Sequence, residues 1–135
     1  MNYGAIGSII GHEITHAFDN IAEKKQGWSK ESKDDYEGKV HCLIDQYNKY
    51  HVAEVEEAFG INFTINGNFT IKENIADCGG VKLSYKAYKK WLLENESQQL
   101  PLGLKSLTND QIFWVSFAQT FCSVERAGEF LKTYF

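Results

Sequence analysis

The sequence predicts a mainly α-helical fold with room for a short strand or hairpin. Three observations predict it. Apolar residues recur at helical spacing over long stretches. Turn signals gather in two short segments. The composition, 43% hydrophobic and 14% aromatic in 135 residues, suits a packed core rather than a disordered chain. The length fits one domain or part of one, covering residues 1–135, without internal repeats or low-complexity segments.

The elements follow in order. Residues 4–19 predict a buried helix, because Tyr3–Gly11 is apolar and small and its glycines allow close backbone approach. This segment is short and lacks a basic lead, so it reads as helix and not as signal peptide. Residues 29–58 predict one long amphipathic helix. Val40, Leu43, Ile44, Tyr47 and Tyr50 lie at helical spacing, and the Ser29–Asp35 charges form a solvated face. His41 and His51 read as solvated helix residues. Asn66-Gly67-Asn68 signals a turn, and the alternation of Ile61, Phe63 and Ile65 allows a short strand before it. Residues 71–94 predict a second long helix with Val81, Leu83, Tyr85, Tyr88 and Trp91 inward or half-buried. Residues 95–107, with the single proline Pro101, predict a loop. Thr108–Gln111 has the form of a capping box. Phe113, Trp114, Phe117 and Phe121 then read as core, and a last short helix covers roughly 124–134.

The chemistry is concentrated in His12-Glu13-Ile14-Thr15-His16. On a helix, residues four apart share a face, so both imidazoles can hold one ion. Zn²⁺ accepts His nitrogen and takes three protein ligands in catalytic sites. Glu13 lies between the two histidines, next to where a water would sit. The bland alternative is an amphipathic helix with two half-buried histidines and a solvated Glu. The apolar lead-in weighs against it, since polar groups in such a segment carry a desolvation cost unless partnered.

The strongest candidate for a third ligand is Glu73, which completes a His₂Glu set. The competing reading makes Glu73 the last member of a capping box opened by Thr70. Asp77 lies one helical turn after Glu73 and can accept the free ring N–H of a ligand histidine. Asp19, one turn after His16, can do the same for that ring. The bland reading of Asp77 is a surface carboxylate.

These stretches resemble the neprilysin-type (M13) zinc metallopeptidases, which include the endothelin-converting enzymes. The matching residues are Asn2–Gly7, Ile10–Asp19, Glu73–Asp77 with Gly79 and Gly80, Tyr85–Tyr88, Gln111–Phe113 and Phe117–Cys122. The resemblance runs along nearly the whole chain. It implies a zincin-like, thermolysin-type catalytic subdomain with one Zn²⁺ per chain at His12, His16 and Glu73. It also implies catalysis by Glu13 and Asp77, with Asp19 and Asp77 steadying the ligand histidines. The implied reaction is peptide-bond hydrolysis by metal-activated water, without a covalent intermediate. Implied substrates are peptides or small proteins cut before apolar residues. A non-catalytic zinc-binding or interaction module derived from the family is the alternative.

The resemblance also implies parts that this stretch does not carry. Family members are several times longer, with a large helical domain upstream. Downstream they carry an oxyanion-binding His and a substrate-binding Arg, and by the resemblance both are expected beyond Phe135. These upstream and downstream parts are expected partners, and the isolated chain is expected to be weakly active or inactive. Between Asn20 and Trp28 the family usually carries a Gly-rich loop and a Trp pair, of which Trp28 remains. Cysteines matching Cys42 and Cys122 form disulfides to the other parts in the family, while Cys78 stands where Asn is usual. The parent is expected to be extracellular or a plasma-membrane ectodomain. The sequons at Asn62, Asn68 and Asn95 agree with an oxidising, glycosylating compartment. A net charge of −4 argues against nucleic acid as partner. The chain has no long apolar span, so no membrane contact is expected of this segment.

Overall fold

The computed structural model describes residues 1–24, 27–95 and 102–123, with the side chains of 19–24 and 102 outside that description. The described elements are α1 (Ile6–Lys24), α2 (Lys30–Tyr47), α3 (Ala53–Phe59), α4 (Gly67–Glu94), a 3₁₀ turn (Leu102–Leu104) and α5 (Asn109–Gln119). The fold is mainly α, as expected. The helix expected over 124–134 lies outside the described residues, as does Pro101.

Two compact units are present. The first comprises Met1–Ala17 and Ala76–Cys122. Its core is Ala76, Tyr88, Ile112 and Phe113, with Ser8, Ser84 and Ser116 also buried. Ser8 and Ser116 satisfy their hydroxyls on carbonyls four residues earlier, donating to Gly4 O and Ile112 O at 2.7 Å each. Ser84 instead donates to the Tyr3 carbonyl and ties α4 to the N-terminal segment. Tyr88 stacks on Phe113 with ring centroids 5.4 Å apart. The Tyr88 hydroxyl is buried, with no partner at full hydrogen-bond geometry among the described residues. Burial, then the nearby Asp110 carboxylate, push it up to about 12, so it stays protonated at neutral pH.

The capping box at α5 is present as expected. Thr108 Oγ1 accepts from Gln111 N at 3.2 Å, and Gln111 Oε1 accepts from Thr108 N at 2.7 Å. The expected aromatic core is narrower than its spacing suggested. Phe113 is 1% exposed, Phe117 is half-buried, and Trp114 and Phe121 are 46% and 56% exposed. An eleven-residue helix presents only one face to its own unit. On α4, Tyr88 is buried and Val81, Tyr85 and Trp91 are half-buried, but Leu83 is exposed.

The second unit, in its described part, is residues 18–24, 27–75 and 123. Here the single helix expected over 29–58 is two helices. Ser29 caps α2, accepting from Ser32 N at 3.1 Å. After Tyr47 the chain turns extended. Val52 N donates to Phe63 O at 3.2 Å, and Ile65 N donates to Tyr50 O at 3.0 Å. His51 and Thr64 form an isolated antiparallel bridge, so the strand allowed over 61–65 is reduced to a single bridged residue, whose partner lay inside the expected helix. His51 is accordingly a bridge residue and not a helix residue. Its Nδ1 bonds Glu56 Oε1 at 2.8 Å. Local helical periodicity could not reveal this, because the competing hydrogen bonds are non-local.

Glu56 holds the connector in place. Its carboxylate accepts from His51 and, at 2.6 Å, from Phe63 N. The His51 hydrogen bond first, then the Phe63 N–H, hold Glu56 below its ordinary value of 4.5. A depressed carboxyl stabilises the connector above 4.5 and loses that effect as pH falls through the folded value. The Phe63 amide NMR signal should therefore titrate with a midpoint below 4.5. Glu56→Gln should remove that step, and an unchanged titration in the variant would exclude Glu56 as its source.

The start of α4 corrects a second expectation. Asn66-Gly67-Asn68 is not a free-standing turn but the opening of the helix. Asn66 Oδ1 accepts from Phe69 N at 3.0 Å, and Gly67 N donates to Asn48 Oδ1 at 2.7 Å. Thr70 therefore sits inside the first turns, where its hydroxyl donates to Asn66 O and accepts from Asn74 Nδ2. It caps nothing, so the capping-box reading of Glu73 is set aside.

Candidate metal centre

Helix α1 presents His12 and His16 one turn apart, both half-buried. Their Nε2 atoms face each other at 2.9 Å, with ring centroids 4.5 Å apart and planes at 85°. On its other side, His12 Nδ1 lies 2.8 Å from Asp77 Oδ1 on α4. The ionised carboxylate can only accept, so Nδ1 carries the proton. The Nε2 lone pair of His12 is thereby aimed at His16. Two ring nitrogens converging in this way, one oriented by a carboxylate, suit a divalent metal such as zinc. The residues present fit the ion that the motif implies.

The approach of α1 to α4 depends on missing side chains. A Cβ on Gly11 would lie 2.6 Å from Gly80 O, and one on Gly80 would lie 2.6 Å from both His12 N and Ser8 O. Only glycine permits this backbone contact, and it lies directly beside His12. Gly79 packs similarly on Thr15, with a Cβ there 2.7 Å from Thr15 Cγ2. The glycines were visible in the sequence, but their pairing across two helices was not.

Glu13 is exposed, and an open cleft of about 220 Å³ lies beside it. Its lining includes His12, Glu13 and Asp77 with the apolar Ile9, Phe117 and Phe121. Glu73 is exposed on α4, one turn before Asp77. Asp19 belongs to α1, but its side chain lies outside the described residues. Cys78 is solvent-accessible. Partial burial, then the Asp77 carboxylate, push its thiol up, which disfavours the thiolate that zinc would need. Cys42 and Cys122 are likewise exposed and unpaired in disulfides.

A mainly α fold with a histidine pair braced by a carboxylate defines a candidate metal centre. The chain matches peptidase family M13 over residues 1–134 and belongs to that family. It is 43% identical to neprilysin-11 of Caenorhabditis elegans, over 93% of this chain and 15% of that protein. It is 39% identical to endothelin-converting enzyme 1 of Bos taurus, over 92% of this chain and 16% of that protein. Its fold is similar to the crystal structure of the Mycobacterium tuberculosis zinc metalloprotease Zmp1 in complex with inhibitor. That likeness has a TM-score of 0.78 and 31% identity, over 95% of this chain and 20% of that one. The chain thus spans about one-sixth of the length of these curated relatives. Family membership and the likeness to a zinc metalloprotease imply zinc.

Proposed function

We propose that residues 1–135 are the metal-bearing part of the catalytic domain of a zinc metalloendopeptidase. One Zn²⁺ per chain is held by His12, His16 and Glu73. The observation that carries this reading is the 2.9 Å approach of the His12 and His16 Nε2 atoms, with His12 Nδ1 held 2.8 Å from Asp77 Oδ1. Glu73 joins the set because it precedes Asp77 by one turn on the same helix, where Thr70 lies inside the first turns and not at a cap. A zinc ion so held supplies Lewis-acid polarisation of the scissile carbonyl and acidifies a water toward a pKa of about 7.

The chain's own residues do the rest. Glu13 takes the proton from the attacking water and returns it to the leaving amine. Asp77 keeps His12 in one tautomer and one orientation. Ile9, Phe117 and Phe121 give the adjoining cleft an apolar wall, which supports peptide substrates carrying an apolar residue after the scissile bond. Asp19 is assigned to steady His16. The parent acts as an extracellular or plasma-membrane ectodomain enzyme. No described helix is long and apolar enough to cross a membrane. The remaining parts of the parent complete the substrate chamber, and this stretch alone hydrolyses peptides weakly or not at all.

The test is zinc content by mass spectrometry for the folded protein and for Glu73→Ala. One equivalent of zinc, lost in the variant, supports the ligand set. No zinc in a folded wild-type sample sinks it. Zinc bound without turnover by the whole protein would point to the non-catalytic module instead.

A further inference from the structure

The sequence carries three N-x-S/T triplets, and the structure treats them differently. Transfer of a glycan requires the Asn amide and the Ser/Thr hydroxyl to be presented together. In extended backbone, residues two apart point to the same face. In a helix they do not face each other.

Asn62-Phe63-Thr64 lies in the non-helical connector between α3 and α4. Phe63 and Ile65 are half-buried, while Asn62 and Thr64 are exposed. The backbone is fixed on both sides of Phe63, whose N–H donates to Glu56 Oε1 and whose carbonyl accepts from Val52 N. The bridge at Thr64 and the flanking backbone bonds of Phe63 and Ile65 fit extended backbone over these residues, with Asn62 and Thr64 both exposed on either side of the half-buried Phe63. A glycan there displaces no core residue.

The other two differ. Asn68 and Thr70 sit within the first turns of α4, on different sides of the helix. The Thr70 hydroxyl is engaged by Asn66 O and Asn74 Nδ2. Asn95 donates its amide to Trp91 O at 2.9 Å, and Glu96 and Ser97 lie outside the described residues.

We propose that Asn62 is an N-glycosylation site and that Asn68 is not. The co-reactant is a lipid-pyrophosphate-linked oligosaccharide. The Asn62 amide nitrogen forms a bond to the anomeric carbon, the bond from that carbon to the pyrophosphate oxygen breaks, and the amide gives up one proton. This assignment rests on the exported compartment in the reading above, and the experiment separates the two.

The whole protein is expressed in cultured eukaryotic cells, once as it stands and once behind a supplied secretion signal. Peptide N-glycosidase is applied in heavy-oxygen water, and peptides are mapped by mass spectrometry. Label at Asn62 in the secreted protein, lost in Thr64→Ala and kept in Thr64→Ser, is the expected result. Label in the signal-supplied form alone supports the site and overturns the exported compartment. A secreted protein with Asn62 unlabelled, or with Asn68 labelled, overturns the proposal.

Discussion

Glu13→Gln in the whole protein is expected to lower peptide turnover by roughly 10²–10⁴-fold, the usual contribution of a positioned general base and acid, while zinc stoichiometry stays at the wild-type level. The separation follows from geometry. The two Nε2 atoms converge on each other, and His12 is braced from behind by Asp77. Glu13 lines the cleft beside them. Gln keeps the shape of Glu13 but cannot take a proton from water. The measurement is turnover of a fluorogenic peptide with an apolar residue after the scissile bond, alongside zinc content on the same sample. Residual turnover near wild type would place the base elsewhere. Zinc lost together with activity would show that Glu13 supports the site and not the proton transfer.

The contrasting variant is Asp77→Asn, which acts through His12. It keeps Glu13 intact but removes the acceptor that fixes the His12 tautomer. Loss of such a partner costs about 10–100-fold in metal affinity or activity. Wild-type turnover at saturating zinc in this variant would confine Asp77 to metal affinity. A deficit that persists at saturating zinc would place it in the chemistry, alongside Glu13.

How much of this was legible beforehand differs by element. His12, Glu13 and His16 were readable because a helix fixes their spacing and face from sequence alone. The pairing of Asp77 with His12 was readable only as an expectation, since it joins residues from two helices. The structure makes it a 2.8 Å contact. Glu73 was ambiguous because Thr70 mimicked a cap. The capping reading falls away because the helix opens at Gly67, under the Asn66 cap, and the ligand role is what the zinc measurement on Glu73→Ala decides. The break after Tyr47 was illegible because its cause lies a dozen or more residues away, in Phe63 and Ile65. Burial on α5 was overestimated because an aromatic stripe does not say which of its members meets a partner.

Gly80→Ala should be a damaging conservative change in the first unit, and the one that bears on the metal site. In open helix, Gly→Ala stabilises by up to about 1 kcal/mol. Gly38 in α2 has nothing within 4 Å of a built Cβ, so Gly38→Ala should raise Tm and serves as the control. At Gly80 the same methyl lands 2.6 Å from His12 N and Ser8 O and 3.0 Å from His12 Cα. All three are backbone atoms, so no side chain can rotate away. The helices must part, and overpacking of this kind costs about 1–3 kcal/mol, which outweighs the propensity gain. The second effect falls on the metal. Asp77 is on the same helix as Gly80, and a shift of about 1 Å carries it out of hydrogen-bond range of His12. Zinc affinity should then fall by about 10–100-fold, read by competition with a chelating dye in the folded variant. If Gly80→Ala instead raises Tm as Gly38→Ala does, the close helix contact is wrong. If Tm falls but zinc affinity holds, the contact is real and His12 does not depend on Asp77 for its orientation.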